Sequence, residues 1–557
     1  MGERILVCVA WPYAKSVTHV GQIVGSILPG DIFARYQRMA GNEVLMVSGS
    51  DAHGTPITVE ADAEGISPNE VVERYHAQIL GVWERLGVTW DNYTVTTNPT
   101  HYREVQAFFT RLLERGYLFK ETMTSPYCPT DDRFLQDRYI LGTCPHCGFA
   151  RARGDQCEQC GKLLDPDQLI DPYCRICLSK TSKIEFRATE HYFWDLTKVQ
   201  APLEEWAQAA MGHWRSHVVG VVQGWLKEGL RPRAFTRDID WGVPVPVAGF
   251  ENKRIYVWYD AVMGYLTATI EWAEQQGTPD VWRDWWVTTA ENPQPSKTYY
   301  FIGKDNITFH AIIWPALLMG HGELVLPYDV PANEFMQMGG MKASASEGNV
   351  VWTPDALDRY GPDALRYYLA AIMPEQRDTN FSYEDLVRRN NDELVATFGN
   401  AAHRTLTFVQ KHFGGQVPEA GALTVEDEAL LATTRATFDA AGAAINAVHL
   451  RDGLSEAMAL ARAVNKYLDD QAPWKMIKTD RERAATSLYV VVQALGALRI
   501  LLTPYIPHAT QKLHTILGFS GSVDNCAWQY ATVPSGQALP VPVPLFAKFD
   551  LPEVAAV

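Results

Sequence analysis

The sequence predicts an α/β fold in which a parallel sheet is split by an insertion and followed by an α-helical bundle. Residues 5–51 carry a strand, a helix and a second strand in that order, which is the opening unit of a parallel sheet. Residues 119–185 are rich in Cys, Asp, Arg and Gly and lack long periodicity, as in an insertion held by something other than an apolar core. From about residue 391 onward, long amphipathic helical patterns predict the bundle.

The first elements of the sheet can be placed from local patterns. Residues 5–10 form a continuous, β-branched apolar run that ends near a proline, which predicts a buried strand. Residues 19–39 carry apolar side chains at helical spacing, and we expect Pro29-Gly30 to break this stretch into two helical pieces. A second strand is expected at residues 43–48. Ligands of such Rossmann-type sheets bind at the carboxyl ends of the strands, and a helix that begins with His19 offers backbone N–H groups and an imidazole to a phosphate.

Length and composition bound the class of protein. A chain of 557 residues, 47% hydrophobic and 20% charged, is expected to form three or four soluble modules. No apolar run is long enough to span a membrane and the N-terminus has no leader pattern, so we expect no membrane association and a cytoplasmic location. The net charge of −16 argues against nonspecific nucleic-acid binding, but it leaves room for a nucleic acid bound by local Lys and Arg patches.

The cysteines indicate metal. Six of the nine form three Cys-x-x-Cys pairs, a pattern that in a reducing compartment indicates metal rather than disulfides. Four thiolates with the spacing for one tetrahedral Zn²⁺ are supplied by Cys144, Cys147, Cys157 and Cys160. A further group consists of Cys128, Asp131, Cys174 and Cys177. Its residues are consistent with a second Zn²⁺ site and also with a metal-free knuckle. Four protein ligands leave no position for a substrate, so the metal is expected to be structural.

The residues around the first helix carry a resemblance to a known family. His19-Val20-Gly21-Gln22 resembles the His-Ile-Gly-His signature of class I aminoacyl-tRNA synthetases. Three further segments resemble the methionyl branch of this class. They are Pro12-Tyr13-Ala14, residues 31–36 (Asp-Ile-Phe-Ala-Arg-Tyr) and residues 47–57 (Val-Ser-Gly-Ser-Asp-Ala-His-Gly-Thr-Pro-Ile). The resemblance to the methionyl-tRNA synthetase family extends over nearly the whole chain in the family's order. It implies that an amino acid carboxylate attacks the α-phosphate of ATP, which is bound with Mg²⁺, and that the aminoacyl group then moves to the 3′ end of a tRNA.

The resemblance also implies how the chain divides. The expected parts are the first half of a Rossmann catalytic domain (1–118), a connective insertion with zinc knuckles (119–230), the second half of the catalytic domain (231–330), a stem-contact region with a signature loop (331–388) and an α-helical anticodon-binding domain (389–557). Residues 234–244, 255–261 and 299–305 resemble segments in which a strand delivers active-site residues at its carboxyl end. The chain ends soon after the bundle, without the C-terminal tRNA-binding dimerisation module of some family members, so a monomer is expected.

The catalytic signatures of the family are altered here. The resemblance implies that ATP is bound by His19, Gly21, Gln22 and Lys342, and that catalysis uses His19, Gln22, Lys342 and Ser346. Gln22 replaces the second histidine, and glutamine cannot carry a positive charge. Where the family's mobile loop reads Lys-Met-Ser-Lys-Ser-Arg, this chain reads Lys342-Ala343-Ser344-Ala345-Ser346-Glu347. Loss of one preorganised donor costs about 10²–10³ in rate, so we expect weak or absent methionine-dependent exchange between ATP and pyrophosphate.

Two further sites follow from the resemblance. The amino-acid pocket is expected to contain Tyr13, Trp258, Tyr265, Phe309 and His310 around the side chain, with Asp51 and Arg237 near the charged end. Trp11, Val262 and Asn306 replace the usual leucine, proline and isoleucine, so a substrate smaller or more polar than methionine is expected. At the anticodon, Trp474 is placed to stack on a base and Asn400 and Arg404 to reach base edges or phosphate; a core tryptophan and a solvated polar pair are the alternatives.

Three functions remain open at this point. The first is a methionyl-tRNA synthetase-like enzyme that acts on an amino acid, ATP and a tRNA with a methionine-type anticodon, with weakened activity or an altered substrate. The second is a repurposed paralogue that uses the same sites to form an amide or another acyl product. The third is a non-catalytic tRNA-binding protein.

Overall fold

A computed structural model describes residues 2–135, 139–154, 157, 159–160, 164, 166–177, 184–342 and 350–551. Within these residues, the centre of the fold is a five-stranded parallel sheet, in which Val7 pairs with Met46 on one side and with Tyr299 on the other. The strands in spatial order are Ala332–Asn333, Lys297–Gly303, Arg4–Val9, Glu43–Ser50 and Asn92–Val95. The chain leaves the central strand to one side first and returns to the other side later. A crevice for ligands is therefore expected at the carboxyl end of Arg4–Val9.

The two faces of the sheet pack into two apolar clusters. Along the first strand, Ile5, Val7 and Val9 face one cluster, whereas Leu6 and Cys8 face the other. This alternation follows from the two-residue period of a strand. The covering helices are Leu28–Met39, Pro68–Leu86, Pro99–Glu114, Val257–Gln275 and Trp314–His321, with Thr55–Glu64 and Arg283–Trp286 at the periphery.

The first helix is continuous, so the prediction of a break at Pro29-Gly30 is wrong. It consists of an α-helical start, a π-helical turn and an α-helix, Val20–Gln22, Ile23–Ile27 and Leu28–Met39. Pro29 has no N–H to donate, and the wider π turn just before it accommodates this loss. Asn333 donates its side-chain amide to the Val24 carbonyl at 2.8 Å, which satisfies one acceptor of that turn. Gly30 is needed because a Cβ there would lie 2.6 Å from Val9 Cγ2.

The insertion contains its own antiparallel sheet. The long strands Leu118–Cys128 and Glu185–Trp194 pair along their lengths and are flanked by Arg133–Phe134 and Arg233–Ala234. A smaller sheet, Ile140–Thr143 with Ala152–Arg153 and Ile170–Cys174, lies among the cysteines. The helices Gln200–Ala210 and Ser216–Glu228 lead back to the central sheet.

The strand expected at residues 255–261 is also wrong, because the chain is helical there. Only Thr236–Arg237 and Arg254–Ile255 pair as short strands, and the helix Val257–Gln275 begins directly afterwards. This helix is buried on most of its faces, so its apolar residues form a nearly continuous run. Such a run cannot be told from a buried strand by periodicity alone.

The second half of the chain is helical, as the sequence predicts. A small sheet lies at its start and consists of Met336–Met338, Met341–Lys342 and Thr379–Phe381, the last of which follows the helix Thr353–Ala371. The helical segments are Thr353–Ala371, Tyr383–Arg389, the π-helical Asn390–Gly399, Asn400–His412, Val425–Asn446, Leu450–Gln471, Pro473–Met476, Arg481–Leu501 and Pro507–Ile516. Among the described residues, Arg481–Leu501 alone is long and apolar enough to cross a membrane, but 89% of that window is buried in the bundle. It is the core helix of the bundle.

Candidate active site

A cavity of about 330 Å³ lies at the carboxyl ends of the central strands. One wall is the start of the first helix, and the opposite wall is the helix Val257–Gln275 together with the turn after Lys297–Gly303. Eleven of the residues that the sequence assigns to ATP or to the amino acid line this cavity. They are Trp11, Tyr13, His19, Gly21, Gln22, Asp51, Trp258, Val262, Tyr265, Asn306 and His310.

Gln22 caps the helix start. The backbone N–H of His19 donates to the Gln22 side-chain oxygen at 3.1 Å. This bond uses the oxygen of the amide, so the NH₂ group is the part of Gln22 that can donate to an anion. The helix therefore presents an imidazole and a neutral amide donor at its positive end, where a phosphate is favoured.

A buried hydrogen-bond chain forms the polar wall at the other end. Tyr265 Oη lies 2.7 Å from His310 Nε2, and His310 Nδ1 lies 2.9 Å from the Asn306 carbonyl. Burial lowers the pKa of His310 to about 4, so the imidazole is neutral near pH 7. Nδ1–H must donate to the carbonyl, and Nε2 accepts the proton of the Tyr265 hydroxyl.

Trp11 fits beside this wall because two neighbours are glycines. A Cβ on Gly49 would lie 2.2 Å from Trp11 Cζ3, and one on Gly264 would lie 2.7 Å from Trp11 Cζ2. The indole also meets the edge of Tyr265, with ring centroids 6.3 Å apart. The benzo ring of Trp11 therefore occupies space that the two glycines vacate.

An aromatic group closes the mouth of the cavity. Trp258 stacks on Phe309 with centroids 4.4 Å apart and meets Tyr13 edge-on at 6.3 Å. Tyr13 packs in turn on Gly54, where a Cβ would lie 2.2 Å from the phenol ring. Phe309 thus supports Trp258 from behind rather than lining the cavity.

The charged end of the pocket is Asp51. Its side chain is 4% exposed, and Oδ1 accepts the backbone N–H of His53 at 3.0 Å. Burial raises the pKa of Asp51 well above its ordinary value, and the nearby charge of Asp260 raises it further. Arg237 does not line the cavity in the described part of the chain, since its guanidinium lies over the ring of Tyr256 at 3.9 Å.

Of the signature loop that begins at Lys342, the described residues include only its first position and those from residue 350 onward. The backbone of Lys342 pairs with Gln337 in the small sheet. Ser346, together with Ala345 and Glu347, lies outside the described residues.

The first cysteine group has the spacing of a tetrahedral zinc site. Cys144 and Cys160 have their sulfurs 3.9 Å apart, and those of Cys147 and Cys157 are 3.6 Å apart. A tetrahedral Zn²⁺ with Zn–S bonds of about 2.3 Å sets its sulfurs about 3.8 Å apart. The backbone N–H of His146 also donates to the Cys144 sulfur at 3.4 Å, and such a bond orients a thiolate toward a metal. These residues fit zinc.

The second group is more compact. The sulfurs of Cys128 and Cys177 lie 3.7 Å apart, but Cys174 Sγ lies only 2.8 Å from Asp131 Oδ2. All four ligand atoms lie within 4.8 Å of one another. The donor set fits zinc, and the short contact is the hydrogen bond expected while Cys174 keeps its proton.

A second groove, of about 400 Å³, lies in the helical bundle. Its walls include Phe408, Lys411 and Pro473, and Trp474 is half-buried in it with the Arg404 guanidinium 4.7 Å from its ring centre. Asn400 is exposed one helical turn before Arg404. Trp474 is therefore a surface aromatic in a basic groove rather than a core residue.

Comparison with known proteins decides the family. Residues 5–406 match the family described as tRNA synthetases class I (M), and residues 417–556 match the anticodon binding domain of methionyl tRNA ligase. The chain belongs to the methionyl-tRNA synthetase family. It is 49% identical to the methionine–tRNA ligase of Roseiflexus castenholzii over 579 residues, covering 99% of this chain and 97% of the relative. The methionine–tRNA ligase of Dehalococcoides mccartyi is 48% identical over 550 residues, covering 99% and 98%.

A solved structure is similar over the same length. It is the methionyl-tRNA synthetase of Mycobacterium tuberculosis bound by methionyl-adenylate, with a TM-score of 0.80, 25% identity and coverage of 98% of this chain and all of that one. The family membership and the α/β fold with a helical anticodon domain, both expected from the sequence, are confirmed.

The structure also shows what the sequence missed in this synthetase fold. Asp260 and His53 lie directly behind Asp51, and Glu334 and Phe335 line the cavity. His53 stands in the same segment as Asp51, so its position could have indicated a role. Asp260 carried no such signal, because it lies on a helix that reads as a strand.

Proposed function

We propose that this chain activates methionine with ATP and transfers the methionyl group to the 3′ end of a tRNA. The observation that carries the proposal is a single cavity at the sheet crevice with a phosphate-binding helix start on one side and an aromatic, hydrogen-bonded pocket on the other. The names of its relatives and the methionyl-adenylate in the solved one support it. They do not favour a repurposed paralogue or a non-catalytic binder.

At the nucleotide end, the proposal gives ATP to the first helix. His19 and the Gln22 amide donate to the phosphates, and Gly21 lets them approach the backbone. ATP enters as its Mg²⁺ complex. Lys342 is the cation that the signature loop retains, with Ser346 beside the phosphates. Because Ala345 and Glu347 replace two cations, pyrophosphate departure is expected to be slower than with the family's usual loop.

At the amino-acid end, the same proposal assigns the substrate's ammonium to Asp51 and its thioether side chain to the aromatic pocket. Arg237 can serve the carboxylate only if its guanidinium leaves Tyr256. The indole of Trp11 and the amide of Asn306 limit the size and the polarity of the amino-acid side chain that the pocket accepts. The side chain is enclosed by Tyr13, Trp258, Val262, Tyr265, Phe309 and His310.

The helical bundle is proposed to read a methionine-type anticodon. Trp474 stacks on a base, a contact typically worth about 1–3 kcal/mol. Arg404 holds the ring from one side and, with Asn400, reaches phosphate or base edges. We further propose a cytoplasmic monomer divided at residues 118, 230, 330 and 388, with both cysteine groups binding structural Zn²⁺.

Trp474→Ala is the variant that tests the assignment to tRNA. Charging of a methionine-acceptor tRNA should fall by at least tenfold, whereas methionine-dependent pyrophosphate exchange stays unchanged. Trp282→Ala is a matched control, since Trp282 also lies under an arginine, Arg283, at 4.8 Å but far from the groove. Equal charging by both variants would contradict the anticodon assignment, and no charging by the unaltered chain would contradict the function itself.

A further inference from the structure

Behind the charged end of the cavity lies a buried group of ionisable side chains. Asp51 follows the strand Glu43–Ser50, His53 lies two residues later, and Asp260 comes from the helix Val257–Gln275. Their exposures are 4%, 2% and 0%. His53 Nδ1 lies 2.8 Å from Asp260 Oδ2, and the His53 backbone N–H donates to Asp51. His53 therefore joins the two carboxyl groups, with its ring at Asp260 and its backbone N–H at Asp51.

Two buried atoms, one in this group and one on the neighbouring His101, lack a hydrogen-bond partner among the described residues. They are Asp260 Oδ1 and Nε2 of His101, both fully buried. His101 Nδ1 lies 2.8 Å from the Thr267 hydroxyl, which itself donates to the Gly264 carbonyl, so Nδ1–H is the donor and Nε2 is an acceptor. One ligand atom each of His53, His101 and Asp260 lies within 4.8 Å of the others. A proton on the Asp260 carboxyl group would supply the donor that this cluster lacks.

Charge balance leads to the same result. Two ionised carboxylates buried beside one imidazole would leave uncompensated negative charge, which is costly. Burial raises the pKa of Asp260, as it raises that of Asp51. Burial, together with the charge of His53, lowers the pKa of His101 well below its ordinary value. His101 is therefore neutral and does not supply a positive charge that would balance the two carboxylates.

Two further neighbours of the group, Tyr102 and Arg254, do not neutralise its carboxyl groups. Tyr102 Oη lies 3.1 Å from His53 Nε2, and burial raises the pKa of Tyr102 to about 12, so it stays neutral. Arg254 influences Tyr102, but its guanidinium donates to the carbonyls of Glu251 and Lys253. Ionised Asp51 and Asp260 would together carry two negative charges, and a proton held by the buried group offsets one of them.

We propose that the group Asp51, His53 and Asp260 holds a proton while the pocket is empty and releases it to solvent when the substrate's ammonium group binds at Asp51. No covalent bond changes: one ammonium cation enters, one proton leaves, and the charge of the site stays constant. His53 and Asp260 are positioning residues, since they do not line the cavity. The inference rests on the proposed binding of the amino acid at Asp51.

Proton release gives the binding a defined pH dependence. Where one proton leaves per ligand bound, the apparent association constant rises with pH by about tenfold per unit. The rise ends at the pH at which the empty pocket no longer holds the proton.

Isothermal titration of the zinc-loaded full chain with L-methionine tests this directly. Heats are measured near pH 7 in buffers with different ionisation enthalpies, and the slope against that enthalpy counts the protons. We expect close to one proton released, both for L-methionine and for methioninol, which has the ammonium but no carboxylate. Binding heats that do not depend on the buffer would overturn the inference while leaving the proposed function intact. Absence of any methionine binding would instead count against the function.

Asp260→Asn removes the second carboxyl group and so tests its contribution apart from that of Asp51. Proton release should fall well below one and the pH slope should flatten, because Asp51 no longer has a second carboxyl group near it. Asp329→Asn is a matched control: Asp329 is also a buried carboxyl group with an unpartnered Oδ1, but it lies away from the cavity. Unchanged release in Asp260→Asn would overturn the role of Asp260. Should that variant fail to fold, the buffer series on the unaltered chain still decides.

Discussion

Single residues set which groups of the pocket respond to pH. His310 is neutral above about pH 4, so its hydrogen bond from Tyr265 keeps one direction over the working range. Asp51, in contrast, has a pKa raised well above its ordinary value by burial and by the charge of Asp260. The wall formed by Tyr265 and His310 is therefore insensitive to pH, whereas we expect the proposed ammonium site at Asp51 to respond to it.

Tyr265→Phe removes the donor to His310. The buried Nε2 then loses its partner, which costs about 1–3 kcal/mol, so the KM for methionine should rise roughly tenfold or more with a smaller change in kcat. Steady-state exchange kinetics measure both constants. Tyr505→Phe, which removes a buried hydroxyl that donates to the Leu450 carbonyl in the bundle, should lower stability without changing KM. An unchanged KM in Tyr265→Phe would exclude this wall from substrate binding.

Local sequence patterns were sufficient to predict some of the strands and helices but not others. The first strand and helix were predictable because their periodicity is strong and lies within 35 residues of sequence (5–39). The helix Val257–Gln275 was not, because burial on most faces removes the polar stripe that marks a helix. The cysteine groups were predictable from spacing alone. The contact of His53 with Asp260 spans 207 residues and depends on the assembled sheet, so no local pattern could show it.

The metal content of the protein tests whether the insertion contains two zinc sites. We expect two equivalents of Zn²⁺ per chain, because both ligand groups have compatible donor atoms. Cys144→Ser should remove one equivalent and Asp131→Ala the other, as measured by elemental analysis of the purified protein. Cys8→Ser is a control, since Cys8 lies in the central strand away from both groups. A single equivalent that Asp131→Ala leaves in place would show that the second group is a metal-free knuckle.

At the scale of the whole molecule, a buried charge network joins the sheet domain to the bundle. Asp31 on the first helix accepts from Arg35 at 3.0 Å and from Arg366 at 2.6 Å. The Arg366 guanidinium also donates to the carbonyls of Pro504 and Tyr505 at the end of the bundle's core helix. The helix that starts at the active site is therefore tied to the domain that carries Trp474.

Asp31→Asn should weaken this junction. Burial alone would raise the pKa of Asp31, but the charges of Arg35 and Arg366 outweigh it and hold the pKa below its ordinary value. The ionised carboxylate thus stabilises the fold above the unfolded pKa of about 4, and this contribution is lost as pH falls below it. We expect a loss of about 3–5 kcal/mol near pH 7 in denaturant unfolding, because two buried cations lose their partner. Asp385→Asn, which breaks exposed pairs with Arg388 and Arg389, should cost less than about 1 kcal/mol.

We propose that this synthetase fold still activates methionine despite Gln22, Ala345 and Glu347. The most direct measurement is amino-acid-dependent exchange between ATP and pyrophosphate, run over a panel of amino acids with and without tRNA. We expect exchange that is selective for methionine and slow, and that rises at least tenfold in the double variant Ala345→Lys, Glu347→Arg. Exchange that prefers another amino acid, or silence with methionine in both the unaltered chain and the double variant, would contradict the claim.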